Sequence, residues 1–249
     1  VGRFCENRFV IAAVLRYTDL CVNAQACIIR YLVFRLHMSQ LITKTKVLPP
    51  RHQGNLLPRQ QLLDEFDVMW SAALVLLTAP AGYGKTCLLT QWAAAGERPV
   101  CWYTVDDLDV DPHRFIAHWF ASITHRFPQF GLQSNAILRS YAENKATLDQ
   151  VVVNTVNELY DTVTEDFVLI VDDYHFVDGQ PEIDHFVSRF IQNSVPNCHV
   201  VLSSRKSLAL PNMALLVARG QATGIDDAML AFSTEEVQAL IQHRFQREI

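Results

Sequence analysis

The chain has 249 residues, half of them hydrophobic, and a formal net charge of −5. This length is enough for one large α/β domain or two small ones, and the hydrophobic content excludes an intrinsically disordered chain. The acidic balance gives no case for nonspecific nucleic-acid binding, and without a run of 18 uncharged apolar residues we predict no membrane span.

The first 37 residues differ from the rest of the chain. They carry five arginines against two acidic residues and have no clean helical or strand period. Met38 then opens a stretch, MSQLITKTKVLPPR, that is typical of a natural start. We therefore interpret residues 1–37 as a non-native or mis-annotated extension, with Val1 reflecting an alternative start codon. A signal peptide is the rival interpretation, but Arg16 and Asp19 interrupt its apolar core.

The six cysteines include no Cys-x-x-Cys pair. Neither a zinc site nor a thioredoxin-like motif is therefore predicted. We expect reduced, mostly buried thiols in a cytoplasmic protein.

A short helix is predicted before the first strand. Pro49 and Pro50 forbid regular helix and indicate an extended segment. From residue 59 to residue 69 the apolar side chains then recur at helical spacing. They are Leu62, Leu63, Phe66 and Met69.

A glycine-bearing loop, APAGYGKT, follows the apolar run 74–77 and leads into a helix predicted from Thr86 to Ala95, with Gly96 as its stop. A strand, a glycine loop ending in Lys-Thr and a helix together predict a phosphate-binding cradle, because the loop's N–H groups can point at phosphate oxygens. The first position of the usual GxxxxGK(S/T) pattern is alanine here. The predicted nucleotide contacts are Ala79, Pro80, Ala81, Gly82, Tyr83, Gly84, Lys85, Thr86 and Cys87.

Three side chains have specific expected roles around this loop. Lys85 supplies a point charge for the terminal phosphates, and Thr86 supplies a hydroxyl for a magnesium ion. Arg59 is a candidate nucleotide contact because it precedes the first strand, where P-loop folds often border the base. A solvated arginine at a helix start is the alternative for Arg59.

The next segment combines a strand, an acidic cluster and a helix. Residues 100–105, VCWYTV, predict the second strand. The following aspartates do not fit a calcium loop, because glycine and the final carboxylate are missing at the required positions. Asp111 instead predicts a helix N-cap, with Pro112 at the first helical position. The predicted apolar face of this helix is Phe115, Ile116, Trp119, Phe120 and Ile123.

Residues 127–147 are polar and give no clear assignment. An amphipathic helix is predicted after them, from Leu148 to Thr162. Its predicted inward side chains are Val151, Val152, Val156, Leu159 and Tyr160.

A continuous apolar run, 167–171, ends in Asp172 and Asp173. Such a run is typical of a strand buried on both faces of a parallel sheet, and ligands bind at the carboxyl ends of these strands. Asp172 is therefore expected to hold magnesium, and Asp173 to orient or activate the attacking water.

The remaining elements follow in quick succession. Residues 199–203 predict a fourth strand, and Arg205 just after it is a candidate sensor of the γ-phosphate. Residues 215–218 are a candidate fifth strand. A capping box at 233–236 predicts the start of a last helix.

These motifs in this order, APAGYGKT, CWYTVDDLDVDPHRF, VLIVDDYH, VLSSR and LAFSTEEVQAL, resemble the nucleotide-binding portion of the maltose-regulator type of large LuxR-family transcriptional activators. Those proteins belong to the STAND class of signal-transduction P-loop ATPases. The resemblance covers residues 43–249. It implies a three-layer α/β/α sandwich with a mostly parallel central sheet, Mg²⁺ and ATP or ADP as cofactors, slow hydrolysis, and self-association in the ATP-bound state.

The resemblance also implies roles for single residues. Lys85 and Thr86 match the phosphate and magnesium contacts, Asp172 and Asp173 the acidic pair, and Arg205 the sensing arginine. Cys87 departs from the usual Thr or Ser, although its backbone N–H can still serve the α-phosphate.

The expected organisation is a P-loop ATPase domain over residues 38–231 and the beginning of a helical or winged-helix region over 232–249. The sensor and helix-turn-helix parts of such regulators have no counterpart in this sequence, so DNA contact is expected only through a domain outside it. Two alternatives stay open: an AAA-like ATPase that uses hydrolysis for remodelling, and a nonfunctional truncated fragment.

Overall fold

The computed structural model of the protein describes residues 42–51, 57–69, 71–96 and 98–245. The chain divides into two compact units, Val1–Ile42 and Thr43–Ile249, and every element below belongs to the second unit. The expectations for residues 1–37 lie outside the described residues. Within the described ranges, no helix is both long and apolar enough to cross a membrane.

Five strands form one sheet in the order β2-β3-β4-β1-β5, and all neighbouring strands are parallel. The neighbouring strands β3 and β4 are buried along their whole length, as expected for strands covered on both faces. The strands are β1 (Leu74–Thr78), β2 (Val100–Thr104), β3 (Phe167–Asp172), β4 (Cys198–Ser204) and β5 (Ala222–Ile225).

Nine α-helices lie within the described residues, alternating in part with the strands. They are α1 (Gln60–Met69), α2 (Lys85–Ala95), α3 (Pro112–Arg126), α4 (Leu132–Ala142), α5 (Leu148–Thr162), α6 (Pro181–Asn193), α7 (Met213–Ala218), α8 (Asp227–Leu230) and α9 (Thr234–Phe245). Three 3₁₀ turns add to them, at Lys44–Val47, Asp107–Val110 and Tyr174–Phe176.

Helices cover both faces of the sheet. On one face, α1 and α2 pack onto the strands through Phe66 and Trp92, whose rings meet edge to face at 5.0 Å, in a core that includes Trp102 of β2. The next residue of β2, Tyr103, points to the other face because side chains alternate along a strand, and it contacts Phe115 of α3. The predicted three-layer α/β/α architecture is therefore confirmed.

Most element predictions are confirmed closely. Asp111 caps α3 by accepting a hydrogen bond from the Arg114 amide, and Pro112 occupies the first turn. Helix α5 has the predicted bounds, and α2 ends against Gly96. The capping box before α9 is present, since Ser233 and Glu236 exchange side-chain to backbone hydrogen bonds.

One expectation about the chain's path is wrong. Residues 215–218 lie in helix α7, and the fifth strand is Ala222–Ile225. Gly224 of that strand lies so close to β1 that a Cβ there would sit 2.7 Å from the Leu76 carbonyl oxygen. A weakly hydrophobic strand containing glycine has no apolar pattern to reveal it.

The unassigned residues 127–147 contain helix α4, which follows Gly131 in the left-handed backbone region. Tyr160, predicted to point inward, is 74% exposed, whereas Glu158 of the same helix is buried. Glu158 is buried because its carboxylate accepts hydrogen bonds from the Gln133 and Ser134 amides at the start of α4. The packing of α5 against α4 therefore buries Glu158 and leaves Tyr160 exposed, which differs from the inward positions that the apolar pattern predicts.

Candidate functional site

The glycine loop lies at the carboxyl end of β1 and leads directly into α2. Gly82 and Gly84 have φ angles of 88° and 81°, a region that side chains disfavour. No side chain caps the N-terminus of α2, so its first N–H groups stay available to an external acceptor. The loop thus has the geometry of an anion cradle at a helix N-terminus.

Lys85 folds back across this loop. Its side chain is largely buried, and its ammonium donates hydrogen bonds to the Ala79 and Pro80 carbonyls at 2.7 and 3.0 Å. Burial lowers the pKa of Lys85, while the nearby Asp173 and Asp172 carboxylates oppose that shift. The ammonium therefore stands between the loop's start and the acidic pair, the position from which a cation can serve phosphate oxygens.

Thr86 and Asp172 meet beneath the loop. The Thr86 hydroxyl donates to Oδ2 of Asp172 at 2.7 Å, and Ser203 donates to the other carboxylate oxygen, Oδ1. Burial raises the pKa of Asp172, and these two hydrogen bonds oppose the shift. A hydroxyl and a carboxylate side by side are the hard oxygen ligands that Mg²⁺ prefers, so the residues present fit this ion.

Asp173 has an unusual backbone conformation for a residue with a side chain. Its φ angle is 60°, and its N–H donates to Oδ1 of Asp172 and to Oγ of Ser203, both at 3.1 Å. A non-glycine residue in this region persists only when its surroundings hold it there. The Oδ1 atom of Asp173 lies 3.5 Å from Nδ1 of His175 and 3.8 Å from Nε of Arg205.

Arg205 follows β4, next to the end of β3. Its side chain is about half exposed, with Nε 3.8 Å from Oδ1 of Asp173 and the guanidinium 5.9 Å from the ring centre of Phe176. Arg205 is therefore brought together with Lys85, Thr86 and the acidic pair, as the sequence predicts. Its contact with a γ-phosphate stays a prediction.

Arg59 lies in a different environment. Its guanidinium binds Glu236 of α9 in a two-point ion pair at 2.8 and 3.1 Å and donates to the Leu230 and Ala231 carbonyls, with Phe232 beneath it. It is neither a solvated arginine nor an unengaged donor, so the solvated alternative is wrong. Its contact with nucleotide stays a prediction.

The other residues predicted as nucleotide contacts in and after the loop differ in their exposure to solvent. Ala79 is buried and its amide donates to the Ser204 carbonyl, whereas residues 80–83 are exposed. Cys87 is half-buried, and burial raises the pKa of its thiol. Their assignment as nucleotide contacts stays a prediction.

The sequence places Ser203 at the end of the fourth strand, where a polar residue beside Arg205 is a candidate γ-phosphate sensor, but it does not predict the contacts of Ser203 with the acidic pair. Ser203 contacts both Asp172 and the Asp173 amide, and it is fully buried. The available signal was its place at the end of a strand neighbouring β3, which puts its side chain beside the acidic pair once the sheet order is known.

The fold and this site define a class of protein. The chain has the fold of P-loop ATPases, and two solved structures share it at a TM-score of 0.50. One is a Walker-type ATPase of Pyrococcus abyssi, 13% identical, with coverage of 80% of this chain and 61% of that one. The other is a STAND protein with a tetratricopeptide repeat sensor from Pyrococcus horikoshii, 14% identical, with coverage of 81% and 27%.

Sequence relatives narrow the class. The chain is 30% identical over 206 residues to the HTH-type transcriptional regulator MalT of Klebsiella pneumoniae subsp. pneumoniae, covering 82% of this chain and 22% of that protein. MalT of Cronobacter sakazakii is 28% identical over 211 residues, with coverage of 84% and 22%. No family model matches the chain. The resemblance to the nucleotide-binding portion of MalT-type regulators is thus confirmed, and the chain spans about a fifth of the length of these relatives.

Proposed function

We propose that this chain is the Mg-ATP-binding switch portion of a bacterial transcriptional regulator, which hydrolyses ATP slowly and thereby controls self-association. The observation that carries the proposal is the convergence of Lys85, Thr86 and the two aspartates at the mouth of the glycine loop. Similarity to MalT-type regulators supports the regulatory role.

The proposed roles follow from the geometry. The loop N–H groups and Lys85 bind the phosphates, while Thr86 and Asp172 hold Mg²⁺. When bound, Mg²⁺ would neutralise charge on the terminal phosphates. Asp173 accepts a proton from the attacking water, and Arg205 contacts the γ-phosphate. Residues 38–231 form the ATPase domain in this proposal, and residues 232–249 begin the helical region that follows it.

The MalT relatives are much longer than the segment that is similar to this chain. We expect the nucleotide state to act on parts of a full-length protein that correspond to that additional length. We expect DNA contact and inducer sensing to need parts of a full-length protein beyond the segment similar to this chain. Cytoplasmic location stays part of this proposal. The nucleotide state is expected to act by changing contacts between the ATPase domain and its neighbours.

Two substitutions test the division of roles. Lys85→Ala is expected to abolish ATP binding or weaken it at least about a hundredfold, because a buried charge facing the phosphates is lost. Asp173→Asn is expected to leave ATP affinity within about threefold of wild type and to stop hydrolysis, because the amide accepts no proton. Calorimetric ATP binding and single-turnover hydrolysis measure the two effects.

Lys145→Ala serves as the control, since Lys145 forms an exposed ion pair with Glu143 on the short turn after α4. Equal behaviour of the two site variants would refute the assigned roles. Rapid multiple turnover by the wild-type chain alone would refute the switch and favour the AAA-like remodelling ATPase. Failure of the folded protein to bind ATP or ADP would favour the nonfunctional fragment.

A further inference from the structure

His175 is a partly buried histidine beside the acidic pair, and the roles above do not use it. It lies in the 3₁₀ turn Tyr174–Phe176, and its side chain is 14% exposed. Its Nδ1 atom is buried and has no hydrogen-bond partner among the described residues, but it lies 3.5 Å from Oδ1 of Asp173. A buried polar atom without a partner is costly, so its place calls for a physical reason.

The same oxygen of Asp173 is approached from two sides. His175 Nδ1 lies 3.5 Å from Oδ1, and Arg205 Nε lies 3.8 Å from it. Two donors near Oδ1 leave Oδ2 as the oxygen available to a water molecule. Because Arg205 is also the group expected to contact a γ-phosphate, His175 is the donor that stays with Asp173 when Arg205 turns to the nucleotide.

The turn that carries His175 is held rigidly. The Tyr174 hydroxyl donates to Oδ1 of the buried Asp184 at 2.8 Å, and the Gly179 amide donates to Oδ2 of the same carboxylate at 2.9 Å. The His175 ring also packs on Phe176 with ring centres 4.4 Å apart. A donor fixed in this way can orient a neighbouring carboxylate at low entropic cost.

Electrostatics favour a neutral ring. Burial lowers the pKa of His175, and the cations Arg205, Lys85 and Lys206 act in the same direction, while Asp173 opposes them. A neutral imidazole that carries its proton on Nδ1 is a donor to a carboxylate on that side.

We propose that His175 is a positioning residue for hydrolysis: its Nδ1–H holds Oδ1 of Asp173 so that Oδ2 faces the attacking water. This inference rests on the proposed ATPase function. His175 touches neither phosphate nor metal in this role and acts through Asp173 alone.

Three substitutions of His175 test the proposal. In Asn the amide nitrogen lies where Nδ1 lies in His, in Gln it lies nearer to Nε2, and Leu removes the donor. We expect His175→Leu to lower the single-turnover rate of ATP hydrolysis about tenfold or more, with ATP affinity within about threefold of wild type. His175→Asn should recover most of the rate, and His175→Gln should recover less.

The retained ATP affinity shows that each variant is folded, so a rate loss cannot be ascribed to unfolding. A His175→Asn protein as slow as His175→Leu would overturn the proposal, because ring packing on Phe176 would then be what matters. If the wild-type protein hydrolyses ATP and His175→Leu hydrolyses it at the same rate, this inference is overturned, but the proposed ATPase function is not. Absence of hydrolysis in an ATP-binding wild type would overturn the proposed hydrolytic function and this inference with it.

Discussion

Ser203 joins the two acidic residues of the site through one hydroxyl group. The hydroxyl donates to Asp172 and accepts from the Asp173 amide at 3.1 Å, and the Ser203 and Asp172 side chains are both buried. Removing it leaves a buried carboxylate with one donor fewer and weakens the support for a left-handed backbone.

We therefore predict that Ser203→Ala destabilises the protein by about 1–3 kcal/mol, the usual cost of leaving buried polar groups without partners. Urea unfolding measures this change. The variant should also need more Mg²⁺ for ATP binding, since the loss of a donor raises the pKa of Asp172 further.

Ser140→Ala is the matched control, because the Ser140 hydroxyl donates to the Ala136 carbonyl within its own helix. We expect it to change neither quantity appreciably. A Ser203→Ala protein with the stability and Mg²⁺ dependence of wild type would show that Thr86 alone suffices to hold Asp172.

At the scale of single residues, the sequence predicts which side chains form the site but not which hydrogen bonds hold them in place. Lys85, Thr86 and Asp172 follow from local patterns, a loop and a strand end. The contacts of Ser203 and His175 depend on the sheet order and on the turn after β3. Neither is encoded by spacing along the chain.

At the scale of elements, Arg59 connects the start of α1 with the start of α9. It joins Glu236 of α9 and the two carbonyls that precede Phe232, across more than 170 positions of the chain. Glu236 also caps its own helix through the Ser233 amide. One carboxylate thus both starts α9 and fixes it to the residue that precedes α1, and its pKa is lowered mainly by the hydrogen bond from Arg59.

We predict that Arg59→Ala lowers the free energy of unfolding by about 1–3 kcal/mol, because hydrogen bonds from a charged group to partly buried acceptors are lost. Hydrogen exchange should increase selectively in α9. A double-mutant cycle with Glu236→Gln isolates the ion pair, and additive effects in that cycle would contradict a direct coupling.

The elements themselves were largely predictable, and the exceptions have physical causes. The capping box of α9 and the cap of α3 are local signals, so both are confirmed. The sequence of strand β5 has no apolar alternation that would predict a strand. Its position depends on pairing with β1, and its Gly224 is required by the close approach to Leu76. The exposure of Tyr160 has no local signal, because the packing of α4 determines what α5 buries and the sequence of residues 127–147 gives no clear helix.

For the molecule as a whole, a buried charge cluster fastens the segment Thr43–Val47 to the turn Asp107–Val110 and to helix α3. The Lys46 ammonium lies 2.5 Å from Asp109, a fully buried carboxylate that also binds Arg114 at 2.9 Å. Burial alone would raise the pKa of Asp109, but the hydrogen bonds from Lys46 and from the Asp106 amide hold that pKa below its ordinary value. The sequence showed the acidic residues here only as a capping cluster, because Lys46 is 63 positions away.

His118 completes this cluster in a neutral form. Its Nε2 accepts a hydrogen bond from the Thr43 amide at 3.1 Å, so its proton is on Nδ1, which donates to the Arg114 carbonyl at 3.0 Å. Burial lowers the pKa of His118, and the Lys46 and Arg114 cations add to that effect, against the opposing influence of the Arg114 carbonyl and Asp109. Protonation would place a hydrogen on Nε2 facing the Thr43 N–H.

The sign of the pH effect follows from this shift. As the pH falls below about 6.5, the ordinary histidine pKa, the unfolded chain takes up a proton at this position before the folded one does. The contribution of neutral His118 to the free energy of unfolding is therefore fully present above that pH. It is lost as the pH decreases toward the lowered pKa of folded His118. One such group contributes a slope of at most about 1.4 kcal/mol per pH unit.

We predict that His118→Gln loses less stability than wild type between pH 8 and pH 5, although it starts lower at pH 8 because the packing of the ring on Tyr103 is lost. Other titrating groups, including His175 and Asp172, are common to both proteins and cancel in the difference. Urea unfolding at several pH values measures the difference in stability between the variant and the wild type. His125→Gln, on the exposed side of the same helix, is the control. A His118→Gln protein with the wild-type pH slope would mean that the segment Thr43–Val47 is held by Lys46 and Asp109 without a contribution from the neutral imidazole.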